Sequence, residues 1–246
     1  MRIATLLRFA VFGLLVAFLV EPTAFAFVFE PLTTRGEPPI YVRTDLMALT
    51  LNHLGLVATA TGVASVISVG LAIIVTRPFG AELLPLSRSL ANIGQTFPPI
   101  AVLALTVPAL GFGAAPTFVA LFLYGLLPIF ENALSGLTTV QPAVFDAARG
   151  MGMTGSQRLM QVELPLALPV ILAGIRLSTV ISLATATIGS TVAASTLGEV
   201  IIAGLLSNNV AFILQGGLVV GALAVLLHDA FLALERRFAK RAGQTG

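Results

Sequence analysis

The sequence predicts an all-α integral membrane protein, a polytopic bundle of about six transmembrane helices. Three observations carry this expectation. Of 246 residues, 57% are hydrophobic and only 10% are charged, against about a quarter charged in soluble domains. The hydrophobic share amounts to about 140 residues, and six spans of ~20 residues each would take up most of them. The few charges fall between long apolar runs rather than inside them, and the mean hydropathy is +1.01. This composition excludes a soluble enzyme, a disordered regulator and a nucleic-acid binder, which would need a basic face. There is no Cys, and the two histidines, His53 and His228, are far apart, so neither a metal site nor any other cofactor is expected.

The elements follow in chain order. Residues 1–29 form either a first transmembrane helix or a signal-like anchor. Arg2 and Arg8 precede an apolar run from Phe9 to Val20, Glu21-Pro22 interrupts it, and Ala24-Phe25-Ala26 has the shape of a small-residue cleavage site. Residues 30–53 read as an external loop and short helix, with Pro31, Pro38 and Pro39 among five charges and Thr44 placed to cap the helix. The transmembrane domain then covers residues 54–233. It opens with Leu54 to Val75, 22 residues without a charge, enough to cross a bilayer. Arg77-Pro78-Phe79-Gly80 is a turn at a membrane edge. Ser89 to Phe130 is a charge-free run of 42 residues, too long for one span, and Gly111 to Pro116 divides it. A fifth span runs from about Pro165 to Ile188 and the last from Val210 to Leu227. Residues 234–246 are a basic tail.

With six spans and the N-terminus inside, Arg2, Arg8, Arg77, Arg88, Arg149, Arg158, Arg236, Arg237, Lys240 and Arg241 fall on the cytoplasmic side. Only Arg35 and Arg43 fall outside. Ten against two is a clear positive-inside bias, which places both termini in the cytoplasm.

One cytoplasmic stretch, Pro142 to Pro165, carries a pattern of its own. Pro142 suits the first position of a helix, and Val144, Phe145, Ala148 and Met151 give that helix an apolar face. Gly150 and Gly152 end it. Thr154 and Gln157 have capping-box spacing for a second helix, with Leu159, Met160 and Val162 as its apolar positions and Pro165 at its close. From these residues alone, an amphipathic connector in the headgroup layer is the plain alternative.

The stretch Asp146-Ala147-Ala148-x-x-x-Gly152, nine residues, then Val162-x-Leu164-Pro165 resembles the loop signature of the permease subunits of bacterial ABC importers, E-A-A-x-x-x-G-x9-I-x-L-P. The spacing agrees throughout, with Asp for Glu and Val for Ile. Gly94 to Pro99, Ala109 to Gly113, Leu123 to Pro128, Ala148 to Thr154 and Val162 to Arg176 resemble the osmoprotectant subgroup, which imports glycine betaine, choline or related compounds. Thr76 to Glu82 is most similar to the smaller permease of the Gram-negative system that has two different permeases. The resemblance covers about residues 54–227. It implies the type I permease fold and a coupling helix made by Asp146, Ala147, Ala148, Gly152, Met153, Val162, Leu164 and Pro165. It also implies two cytoplasmic ABC ATPase subunits, a periplasmic or extracytoplasmic solute-binding protein, and a second permease, identical or related. An amino-acid importer permease is the neighbouring alternative, and a stand-alone secondary transporter is the alternative from another class.

The single lysine, Lys240 in Arg-Phe-Ala-Lys-Arg, has no glycine-rich turn before it, so the chain has no phosphate-binding loop. ATP hydrolysis is therefore expected on a separate subunit. Gln95, Thr96, Pro98 and Pro99 are candidates for the translocation path, because irregular backbone at membrane depth is tolerated where it faces protein or water. Arg176 joins them as a charge about 11 residues into a span, facing the bundle interior or snorkelling to an interface. His53 is expected at a membrane interface, Asn208 and Asn209 at an external helix start, and Gly217-x-x-x-Gly221 at a close helix contact.

Overall fold

The computed structural model describes residues 2–33 and 36–243, with side chains from residue 6 onward. Arg35 and the last three residues of the tail, together with the side chain of Arg2, lie outside the described residues. Among those described the regular structure is helical throughout. The α-helices are α1 (Arg2–Val20), α2 (Ala26–Phe29), α3 (Leu46–Val75), α4 (Leu84–Thr96), α5 (Pro99–Leu110), α6 (Ala114–Thr138), α7 (Pro142–Gly150), α8 (Gly155–Arg158), α9 (Leu164–Ala186), α10 (Gly198–Ser207) and α11 (Val210–Arg241). Among the described residues four stretches are long and apolar enough to cross a membrane, or up to six if each of two bent pairs counts as one span.

The bends have local causes. After α1, Glu21 leaves helical geometry at φ −135° and Pro22 starts a short 3-10 turn, so the chain from Pro22 to Leu32 turns 115° away from the helix before it. Phe18 anchors the turn, its ring 5.4 Å from Phe25 and 5.6 Å from Phe29. Between α4 and α5 the break falls at Phe97 and Pro98, whose ψ angles of 141° and 143° are extended, as expected for a residue that precedes a proline.

Helix α3 is continuous over 30 residues, so the short helix anticipated before Leu54 and the span after it are one element. Its cap is Asp45, whose Oδ2 accepts from the Ala48 N–H at 2.9 Å. Thr44 is used elsewhere. Leu46, Leu49, His53, Val57, Ala60, Ala64, Ser68, Ala72 and Val75 are buried along α3 in successive three- and four-residue steps on one helix face, with Thr50 and Thr61 buried beside them.

The chain divides into two compact units. The first comprises Met1–Thr59, Pro98–Leu121 and Ile181–Leu227. Here the segment from Pro38 to Thr44 is tied down by side chains of α10 and α11. The Asn209 amide donates to Pro38 O at 3.0 Å and the Gln215 amide to Pro39 O at 2.7 Å, while the Tyr41 N–H donates to Gln215 Oε1 at 3.1 Å. The hydroxyls of Tyr41 and Thr44 both donate to Glu199 Oε1, and burial raises the Tyr41 hydroxyl above its ordinary pKa. Asn209 also caps α11, accepting from the Phe212 N–H, in agreement with the expected helix start.

His53 does not sit at an interface. It is fully buried, with Nε2 3.0 Å from Leu183 O and Nδ1 accepting from the Leu197 N–H. The tautomer protonated on Nε2 makes both bonds. The break between α9 and α10 exposes backbone groups that need these partners, and that demand draws the imidazole inward.

The second unit comprises Ala60–Phe97, Phe122–Val180 and His228–Gly246. Its core gathers Ala64, Ala72, Ala91, Ile129, Phe130, Ala133, Ala167 and Ile171. Small residues let helices approach closely where apolar burial alone gives no direction. Gly94 shows the limit of this approach, since a Cβ there would collide with the Leu123 carbonyl.

Gly94→Ala and, in the first unit, Gly198→Ala, which would collide with the Thr187 carbonyl, are each expected to destabilise the isolated chain by about 1–3 kcal/mol. Gly62→Ala, with open space around it, should stay within about 0.5 kcal/mol. Thermal unfolding in detergent measures the contrast.

Candidate coupling loop and path residues

The loop from Pro142 to Pro165 folds as two short helices joined by a closed turn. Helix α7 starts with Pro142 at its first position. At its end the Gly152 N–H bonds Arg149 O at 2.9 Å and the Met153 N–H bonds Ala148 O at 3.2 Å. Gly152 itself has φ 75°. This is a Schellman closure, which needs the left-handed conformation that glycine adopts without strain. Two residues on, Thr154 and Gln157 form a complete capping box: the Gln157 N–H donates to Thr154 Oγ1 at 3.3 Å and the Thr154 N–H to Gln157 Oε1 at 2.8 Å.

Helix α8 then passes through one π turn, Leu159–Glu163, into α9 without a break. The expected end at Pro165 is therefore a point inside a continuous helical stretch. π turns are uncommon and concentrate at functional positions.

An ion cluster holds this junction. Glu163 is 1% exposed, and its carboxylate receives Arg77 from the turn after α3 and Arg158 from α8, the latter at 3.0 Å. Arg77 Nε also donates to Ile73 O at 3.3 Å, and the Arg158 guanidinium lies 5.6 Å from the Phe145 ring centroid. Three backbone segments thus meet at one buried carboxylate. Glu163 occupies an unspecified position of the loop signature, so the signature attaches no role to it. An acid between Leu159 and Leu168, flanked by apolar residues, was the signal available.

Of the signature residues, Asp146, Ala147, Gly152 and Pro165 are exposed, Met153, Val162 and Leu164 are half-buried, and Ala148 is buried. Met151 departs from the expected apolar face: it is 73% exposed and lies beyond Gly150, where α7 and the stripe of Val144, Phe145 and Ala148 end. Met160 is 64% exposed as well. The loop therefore presents two flexible thioethers on its free surface, a side chain suited to adaptable contacts.

The path candidates separate into two places. Gln95 and Thr96 end α4 beside Tyr124 of α6: the Gln95 amide donates to Tyr124 O at 3.0 Å and the Tyr124 hydroxyl to Phe97 O. Gln95, Thr96 and Pro98 are exposed, and Pro99 is half-buried at the start of α5. Arg176 belongs to a different cluster. It pairs with Glu235 of α11 at 2.6 Å and approaches His228 at 3.3 Å, so it faces a helix neighbour instead of snorkelling. Arg88 pairs with Glu131 at 2.6 Å.

A helical membrane bundle that offers a capped, braced helix pair on one face has the architecture of an ABC importer permease subunit of type I. The model of the family described as "Binding-protein-dependent transport system inner membrane component" matches residues 68–242, and the chain belongs to that family. It is a multi-pass inner-membrane transport subunit. It is 40% identical over 191 residues to the osmoprotectant import permease protein OsmY of Salmonella typhimurium, covering 78% of this chain and 80% of the relative. It is 37% identical to the glycine betaine/carnitine/choline transport system permease protein OpuCB of Bacillus subtilis, covering 70% and 82%. A chain of the MetNI methionine ABC transporter in an inward-facing form superposes with a TM-score of 0.70 over 78% of this chain and 95% of that one, at 21% identity. That likeness concerns the fold.

Replacing both arginines around Glu163, R77Q with R158Q, strands a buried carboxylate and is expected to destabilise by about 3–5 kcal/mol. E163Q should cost less, because the two arginine side chains are 17% and 18% exposed and can extend toward water. Thermal unfolding of the purified variants gives the order, and limited proteolysis between residues 142 and 165 reports the loosened loop.

Proposed function

We propose that this chain is the permease subunit of an ATP-driven importer for glycine betaine or a related compatible solute, coupled to a separate ATPase through the loop 142–165. The observation that carries the reading is the loop itself. Its outer surface, including Asp146, Ala147 and Met151, is free, while its inner side is locked to α3 and α9 through Glu163. A push on α7 and α8 is thereby delivered to α9 with no flexible joint between them. In this role Asp146, Ala147, Ala148, Gly152 and Met153 shape the docking surface, and Val162, Leu164 and Pro165 carry the motion into the span.

The solute class is supported by the relatives, permease proteins of osmoprotectant import and of glycine betaine/carnitine/choline transport. The remaining parts are two cytoplasmic ATPase subunits, an extracytoplasmic binding protein and a second permease. The absence of a phosphate-binding loop around Lys240 supports the separate ATPase. The bias of basic residues supports cytoplasmic termini. Gln95 and Thr96, beside the break at Phe97 and Pro98, are the residues proposed to line the path, with Pro99 shaping it. Arg176 is proposed to steady α9 through Glu235 during the movement.

Gly152→Val forces a β-branched residue to φ 75°, at a local cost of about 1–3 kcal/mol, and is expected to abolish uptake of labelled glycine betaine while leaving membrane insertion intact. Uptake assays in cells lacking other betaine importers, with the chain quantified in membranes, provide the check. Uptake at the unmutated rate would remove the coupling role.

A further inference from the structure

The second unit contains a cleft of about 820 Å³ lined by Arg77, Arg149 and Arg158 against a single carboxylate, Glu163. Glu163 is already shared by Arg77 and Arg158, and among the described residues no ion pair involves Arg149. Three arginines less one carboxylate leave the cleft with a formal charge of +2. Thr76, Thr138 and Ser156 also line it, and one wall is apolar: Ile73 and Val75 from the last turn of α3, with Leu134 and Leu137 from the end of α6. Those are the final turns of two membrane-spanning helices. The cleft therefore lies at the depth where hydrocarbon gives way to headgroups, on the side rich in basic residues. Phe79, 80% exposed, also lines it, as aromatic side chains do at headgroup level.

We propose that this cleft binds an anionic phospholipid, with the phosphate between Arg149 and the Arg77–Arg158 pair and an acyl chain along the apolar wall. Cationic groups beside an apolar wall complement an anionic amphiphile. A soluble phosphate would meet the same arginines and leave the wall unused. A segment of an ATPase subunit would have to reach behind α7, since Asp146, Ala147 and Met151 lie outside the cleft lining. Bound here, the lipid would wedge α7 against the ends of α3 and α6. The site stands or falls separately from the coupling role, because its readout is lipid retention and not uptake.

The test uses the full chain co-purified with its ATPase subunits, in phosphatidylcholine nanodiscs doped with phosphatidylglycerol, with retained lipid counted by native mass spectrometry. The expected result is phosphatidylglycerol held in preference to phosphatidylcholine. Affinity should fall about fivefold in R149Q, the weight of one basic residue at an anionic surface, and return in R149K. Arg149 is exposed on α7, and an unchanged melting temperature for R149Q verifies that the fold is retained. Glycerol phosphate at the same concentration should leave the lipid in place. Equal retention of the two lipids, or R149Q binding as the unmutated chain does, would overturn the proposal. Displacement by glycerol phosphate would assign the cleft to a soluble anion, and loss of lipid whenever the ATPase subunits are present would assign it to the docking surface. Either result also overturns it.

Discussion

Every helix break in a membrane protein releases backbone N–H and C=O groups that lipid cannot satisfy, and this constraint organises the polar residues of the chain. At the break between α9 and α10, Thr196 donates to Ala186 O, and His53 serves both Leu183 O and the Leu197 N–H. At the break after α4, the Tyr124 hydroxyl takes the Phe97 carbonyl and the Gln95 amide takes that of Tyr124. In the segment before α3, Asn209 and Gln215 receive the carbonyls of Pro38 and Pro39. His53, Thr196, Asn209 and Gln215 are all 0–1% exposed. These four buried side chains thus serve places where the backbone is interrupted, and each would be costly to bury without the bond it makes.

The charged residues follow a second logic. Glu163 and Glu235 each hold an arginine from elsewhere in the chain, so these two acids enter helical stretches as partners. Around Glu163 the result is mechanical. Arg77 ends one span, Arg158 belongs to the loop, and the acid itself begins another span. Hydrophobic contact alone would let these segments slide, because exchanging one apolar neighbour for another in lipid changes little. A shared buried carboxylate fixes their register, which is the property a loop needs if it is to pass on a displacement.

The spans and the loop were legible in the sequence because they depend on length, on charge-free runs and on turn chemistry. Pro142, Gly152 and the Thr154–Gln157 spacing each specify local geometry within five residues, and the structure contains all three features. What the sequence did not show was which face of a span is buried. On α3 apolar residues surround the helix, so the pattern that marks a core in a soluble protein is absent. The buried stripe is distinguished instead by Ala60, Ala64, Ser68 and Ala72, small residues chosen for close approach. The roles of Glu163, His53 and Glu199 depend on partners 86, 130 and 158 positions away, distances over which no local pattern operates. Met151 was misplaced for a nearer reason: helical spacing was extended one residue past Gly150, where α7 ends.

The same economy bears on selectivity. Quaternary ammonium groups are recognised by aromatic faces, most strongly those of Trp and Tyr. This chain has no Trp and two Tyr, and both tyrosine hydroxyls are committed to its own structure. Tyr41 donates to Glu199 and stacks edge-on to Phe212 at 5.4 Å, and Tyr124 spans the break at Phe97. An aromatic cage built from these two rings would have to dismantle contacts that hold the fold. On the proposed function, tight discrimination among compatible solutes would fall to the binding protein that delivers them.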